Sequence, residues 1–184
     1  MVSKQVAEQA FGKVEKELRD LSRWMFEIPE LGFEECEASE RLSSFLGRQG
    51  FEVTYPCHGL DTAFEATVGT GGPRVVICCE YDALPEVGHA CGHNIIATAA
   101  AGAGVAMANL AEELGIRVTV LGTPAEEGGG GKVRMIEEGG LDGVGEAVMV
   151  HPADADLAMM SSLAVQQVQV SYTGLALSLI HLSA

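Results

Sequence analysis

The run Arg74-Val75-Val76-Ile77-Cys78-Cys79-Glu80-Tyr81-Asp82 decides the fold. Six residues without an internal charge, from Arg74 to Cys79, read as a strand buried on both faces. Downstream, Asn94–Leu114 is rich in Ala and Gly and long enough for a helix that ends at Gly115, and Ile116–Gly122 reads as the next strand. A strand, a helix and a second strand imply a right-handed crossover and parallel pairing. The alternation continues with a short helix, Lys132–Glu138, closed by Gly139-Gly140, then a strand at Ala147–Val150 and an exposed, alternating one at Leu163–Tyr172.

Upstream, Val6, Ala10, Val14, Leu18, Leu21 and Met25 recur at helical spacing over Lys4–Glu27, and Ile28-Pro29 stops that helix. A second helix spans about Cys36–Gln49, with Leu42, Phe45 and Leu46 on one face and Gly50 as its cap. Phe51–Tyr55 and Ala63–Val68 read as strands, and Gly69–Pro73 as a turn. The predicted class is α/β: a mainly parallel sheet with helices on both faces. Small residues along Asn94–Leu114 predict a helix that approaches the sheet closely.

The 184 residues are 47% apolar and 20% charged, with a formal net charge of −15. This globular composition argues against nucleic acid or an anionic membrane as partner, since both require clustered Lys and Arg. Met1–Asp20 has no apolar core of a secretory signal, and Ile95–Leu110 is too short and small-residued for a bilayer span. Five cysteines in such a chain are expected to be reduced thiols of a cytoplasmic protein.

Chemistry follows each core strand. Glu80, Asp82 and the run Gly88-His89-Ala90-Cys91-Gly92-His93-Asn94 come after the first, Thr123-Pro124-Ala125-Glu126-Glu127 after the second, and His151-Pro152 after the third. Ligands of open parallel sheets bind beyond the carboxyl ends of strands. One rim thus receives a thiol, imidazoles and carboxylates, the donors suited to a borderline-soft divalent cation such as zinc. Taken singly, each piece is weak: Cys91 could be a small core residue, Glu126-Glu127 a solvated pair and His151 a strand-end turn. Their common edge makes the case.

Consecutive side chains after a strand diverge, so one of the two glutamates can hold metal while the other handles protons. A cation makes water acidic near neutral pH, and a nearby carboxylate can accept the proton. Glu127 as ligand with Glu126 as base fits, though the sequence leaves the order open. Asp82 reads either as a group orienting His93 or His89, or as a turn former. Gly128–Gly131 reads either as a carboxylate-binding set of amides or as a turn. His89 is a weaker ligand candidate than His93, and His58 reads as a loop residue.

Four segments, Ile28–Glu35, Glu80–Pro85, His89–Asn94 and Gly122–Gly128, resemble in order and spacing the dinuclear metallopeptidase and amidohydrolase family of aminoacylases and hippurate, auxin-conjugate and aminobenzoyl-glutamate hydrolases. Glu80–Ala97 and Gly122–Lys132 are most similar to the branch of peptidase family M-twenty that acts on dipeptides with a basic C-terminal residue. The resemblance implies a zinc-peptidase-like catalytic domain, incomplete here. It implies Cys91, His93, Glu127 and His151 as metal ligands, Glu126 as catalytic base and Asp82 behind them. It further implies two divalent metal ions, usually zinc and sometimes manganese or cobalt, and a dipeptide or N-acyl amino acid as substrate.

The same likeness implies that residues 1–174 are the front part of the catalytic domain. An inserted lid domain supporting homodimerisation, and a late closing histidine, then lie outside this chain, so the chain alone is expected to be inactive or poorly active. Leu175–Ala184 follow no turn logic and resemble a translated sequencing adapter, so the native reading frame is expected to diverge near Gly174; a natural apolar tail is the alternative. Two other functional readings stand beside hydrolysis by metal-activated water: a metal-binding fragment without turnover, and a cysteine hydrolase using Cys91 with His93.

Overall fold

The computed structural model describes residues 2–158 and 170–171. Residues 1–152 form one unit and residues 153–184 another. In the second, residues 153–158 run as exposed chain without helix or strand, and residues 170–171 are exposed. The strand predicted at Leu163–Tyr172 and the tail beyond Gly174, with His181, lie outside the described residues.

The first unit is built on a five-stranded sheet in the order β1-β2-β4-β3-β5. Its strands are β1 Glu52–Thr54, β2 Phe64–Val68, β3 Arg74–Cys79, β4 Arg117–Gly122 and β5 Val144–Val148. β3 pairs in parallel with both β4 and β5, whereas β2 pairs antiparallel with β4 and β1 antiparallel with β2. β1, β3, β4 and β5 therefore share one direction and β2 alone opposes them, so the sheet is mixed within the α/β class.

Side chains of β3 alternate between two cores. Ile77 and Cys79 join Phe64, Ala66, Val118 and Val120 under the helices α1 (Val2–Glu27), α2 (Cys36–Arg48) and α3 (His93–Ala108). Val76 joins Leu60, Ala63, Leu121 and Met135 under the short helix α5 (Gly131–Glu137). Helices thus cover both faces, the second more thinly. Among the described residues no helix is long and apolar enough to cross a membrane, and all five cysteines are free thiols.

The close approach of α3 to the sheet is visible at Gly104, where a Cβ would stand 2.3 Å from Val120 Cγ2. Two predicted elements differ. The single helix expected over Asn94–Leu114 divides into α3 and α4 (Ala111–Leu114). Its break falls at Asn109, whose amide donates to the Val105 carbonyl at 3.1 Å and offers the backbone a competing partner. The strand expected at Ala147–Val150 is β5, displaced toward the N-terminus. Its residues Gly145–Val148 are exposed, so backbone pairing with β3 fixes it, with no apolar stripe to announce it.

The segment between α1 and α2 leaves the sheet and braces the rim. Leu31 bridges Ala83, and the Ala83 amide donates to the Glu30 carbonyl at 2.8 Å. The Glu30 carboxylate accepts the amides of Glu37 and Ala38 at 3.0 and 2.8 Å, satisfying the start of α2.

Candidate metal centre

Parallel β4, β3 and β5 are neighbours, so the segments that follow them emerge at one edge. Directly beyond β3, alternation puts Tyr81 into the core, fully buried, and turns Glu80 and Asp82 to the other side. Both carboxylates are nonetheless buried, Glu80 at 2% and Asp82 at 1% exposure.

His93, the first residue of α3, is 1% exposed. Its Nδ1–H donates to Asp82 Oδ1 at 3.0 Å, which fixes the tautomer and leaves the Nε2 lone pair outward. That Nε2 lies 3.5 Å from Glu80 Oε2, 3.7 Å from Glu127 Oε1 and 3.8 Å from Glu126 Oε2. Neither Nε2 nor Glu127 Oε1 has a hydrogen-bond partner among the described residues, although both are buried. Asp82 uses its second oxygen to accept the Glu127 amide at 3.0 Å, so one carboxylate fixes both the imidazole and the backbone of the β4 loop.

Cys91 and His151, sixty positions apart, meet at 3.4 Å between Sγ and Nε2. His151 Nδ1 donates to the Pro152 carbonyl at 2.7 Å, so its Nε2 is the accepting atom. Gly92 makes this meeting possible. It adopts φ +91, and a Cβ there would stand 2.9 Å from Pro152 Cγ. One donor atom each from Cys91, His93 and His151 falls within 4.8 Å of the others, and so does one each from Glu80, His93 and Glu126.

The electrostatics follow from crowding. Burial pushes the Cys91 thiol up, and Glu127, Glu126 and Glu80 add to it, to about 12. Burial, then the Glu80 charge, raises the Glu126 carboxyl. Burial raises Asp82, but the bonds from His93 and Glu127 outweigh it and hold the carboxyl below its usual value. Burial lowers His93, but Asp82, Glu80 and Glu127 reverse this and raise it. Lys132, on α5, donates to Glu80 Oε1 and is the cation set against this cluster. Orphaned donor atoms, a surplus of carboxylates and a mixed S, N and O set fit a divalent cation.

The structure thus brings Cys91, His93, Glu126, Glu127, His151 and Asp82 to one rim. Of the two glutamates, Glu127 has the more buried side chain, 22% against 42% exposed for Glu126. His89 is buried and its Nδ1 is unpartnered among the described residues. His58 lies apart, paired with Glu65 at 3.0 Å. The Gly128–Gly131 run is a turn: Gly129 and Gly131 both donate to the Ala125 carbonyl at 3.2 Å.

Glu80, Lys132 and Glu35 carried no role in the sequence reading. Glu80 was detectable, because it shares Asp82's parity beyond β3. A cleft of about 300 Å³ opens beside Glu127, lined by Leu31, Phe33, Leu84 and Pro85 among others.

The sheet and its rim define an α/β domain with a candidate metal centre at the carboxyl ends of its parallel strands. It superposes on the Bacillus subtilis YXEP protein, described as a dinuclear metal binding peptidase from the M20 family, with a TM-score of 0.66 and 28% identity over 76% of this chain and 42% of that one. The chain belongs to peptidase family M20/M25/M40, whose profile matches residues 77–173. It is 38% identical over 187 residues to the Xaa-Arg dipeptidase of Mus musculus, across 94% of this chain and 43% of that protein. It is 36% identical over 172 residues to a p-aminobenzoyl-glutamate hydrolase chain of Escherichia coli (strain K12), across 83% of this chain and 36% of that protein. The chain therefore spans about two fifths of the length of the curated relatives it matches.

Proposed function

We propose that this chain supplies the metal-holding and proton-handling face of a hydrolase that cleaves the amide bond of dipeptides or N-acyl amino acids. Cys91, His93, Glu127 and His151 would hold two divalent cations, zinc by the donor set, with Glu126 as base. The observation that carries this reading is His93: its Nδ1 is fixed on Asp82, while its buried Nε2 has no partner among the described residues and faces three carboxylates at 3.5–3.8 Å. The relatives' names share an amide bond to an amino acid, which favours that substrate class.

When bound, the cations would polarise the scissile carbonyl and make water acidic near neutral pH. Glu126, with the more exposed carboxylate of the two and a raised pKa, takes the proton of the attacking water and returns it to the leaving amine nitrogen. Asp82 orients His93 and Glu127 together. Lys132 offsets the Glu80 charge. The cleft of Leu31, Phe33, Leu84 and Pro85 gives an apolar substrate group room beside Glu127.

The Cys91–His151 contact invites a second reading as a thiol nucleophile with its base. Activated cysteines occupy electropositive surroundings, whereas burial, with Glu127, Glu126 and Glu80 beside it, pushes this thiol up to about 12. The hydrolytic-metal reading is therefore preferred.

The test is zinc titration of the purified chain, with hydrolysis of an Xaa-Arg dipeptide and of an N-acetyl amino acid followed with and without chelator in a full-length protein that carries this face. Expected are zinc binding that His93→Ala abolishes, and chelator-sensitive turnover. Glu126→Gln should reduce that turnover about 100-fold or more with zinc retained. Normal turnover by Glu126→Gln, or indifference to chelator, overturns the assignment.

A further inference from the structure

We infer that Glu35 is the positioning residue of this rim: its buried carboxylate holds Ala125 in a left-handed backbone conformation and so aims Glu126 and Glu127 at His93. For its functional meaning the inference rests on the metal-centre reading above.

Ala125 has φ +54, a region that residues with a Cβ occupy rarely and only when their surroundings enforce it. It is fully buried, and the next two residues are the glutamates of the rim. Glu35 supplies the enforcement. Its Oε1 accepts the Ala125 amide at 2.8 Å, and its Oε2 accepts the Thr62 hydroxyl at 2.9 Å. The Thr62 carbonyl in turn accepts the Tyr81 hydroxyl, and Tyr81 stands between Glu80 and Asp82, stacked on Phe64 with ring centroids 5.9 Å apart. One carboxylate therefore ties the loop after β4 to the loop after β3 from the core side, opposite the side on which Glu80 and Asp82 emerge.

Two further contacts tighten the arrangement around Ala125. Its carbonyl accepts the amides of Gly129 and Gly131, each at 3.2 Å, so the turn that follows Glu127 is built on it. Gly32, from the same segment as Glu35, packs so closely that a Cβ there would stand 3.0 Å from Ala125 Cβ. Glu35 itself is 0% exposed. A carboxylate taken so fully out of water is costly unless its bonds are made; one of these bonds holds the loop after β4, and the other reaches the loop after β3 through Thr62. Without it, the Ala125 amide is left buried without a partner and the left-handed turn loses its restraint.

The experiment compares Glu35→Ala, Glu35→Gln and Thr62→Val in the full 184-residue chain. Three quantities are read: zinc affinity, hydrogen exchange of the Ala125 amide in zinc-free protein, and melting temperature. Glu35→Gln keeps an oxygen for the Ala125 amide and should hold zinc affinity within about threefold of wild type. Glu35→Ala should weaken zinc binding about tenfold or more and speed Ala125 exchange about tenfold or more. Thr62→Val, which removes a donor and leaves the carboxylate in place, should fall between them and carries the test if Glu35→Ala does not fold. A lower melting temperature in Glu35→Ala with zinc affinity and Ala125 exchange both unchanged would overturn the inference, as would wild-type values for Thr62→Val if it stands alone. If the wild-type protein binds no zinc, the metal-centre reading fails, and Ala125 exchange still decides the role of Glu35.

Discussion

Asp82→Asn isolates the hinge of the proposed site, because the replacement has nearly the same shape and one acceptor fewer. Asp82 is 1% exposed and accepts twice, from His93 Nδ1 at 3.0 Å and from the Glu127 amide at 3.0 Å. Asparagine has one carbonyl oxygen for these two donors, so one donor loses its partner. If the oxygen serves Glu127, the new NH2 faces His93, the ring must carry its proton on Nε2, and the lone pair that faces the rim disappears. If it serves His93, the Glu127 amide is left unpaired behind a proposed ligand. A buried donor without a partner costs about 1–3 kcal/mol, equivalent to about 5- to 150-fold in an equilibrium constant. The assay is zinc affinity at neutral pH by competition with a chelator, with a melting curve to show that the variant is folded. Affinity falling by about 10- to 100-fold is the expected result; folded Asp82→Asn that binds zinc within about twofold of wild type would refute the reasoning.

Two glycines in helices should respond oppositely to alanine. At Gly12 on α1 an added Cβ meets nothing within 4 Å, so Gly12→Ala should stabilise by about 0.5–1 kcal/mol through helix propensity. At Gly104 the same Cβ would stand 2.3 Å from Val120 Cγ2, a stiff β-branched side chain, so overpacking of about 1–3 kcal/mol should outweigh that gain; urea midpoints that shift in the same direction for both would contradict this. Burial pushes the Glu35 carboxyl above its usual value despite the bonds it accepts from Ala125 and Thr62. A carboxyl with a raised folded pKa contributes most to stability below its unfolded value, and that contribution is lost as pH rises through the folded one. Glu35→Gln should therefore gain stability relative to wild type as pH rises above the ordinary carboxyl range near about 4, and a gap that stays flat or narrows in urea titrations over that rise would disprove the linkage.

How legible each part was follows from what fixes it. β3 was read with its observed bounds, Arg74–Cys79, because burial on both faces writes a continuous apolar run. β5 was displaced because its outward residues carry no such run, and α3 was overextended because Asn109 breaks the helix through a side-chain bond. The meeting of Cys91 and His151 across sixty positions was foreseeable, since parallel neighbouring strands deliver their following residues to one edge. The unequal exposure of Glu126 and Glu127 was not, because it follows the left-handed backbone of Ala125, whose amide is held by Glu35, ninety positions away. No local pattern carries that information.

The distribution of the rim's groups over segments behind three different strands also has a kinetic side. Small zinc modules gather their ligands from closely spaced positions, so metal capture and folding are one event. Here the thiol and the second imidazole approach only once β5 has docked on β3, a closure of long sequence separation that comes at an entropic cost before any contact rewards it. A cation would act on this chain as a latch that closes after assembly: it would slow the departure of β5 and do little to hasten its arrival.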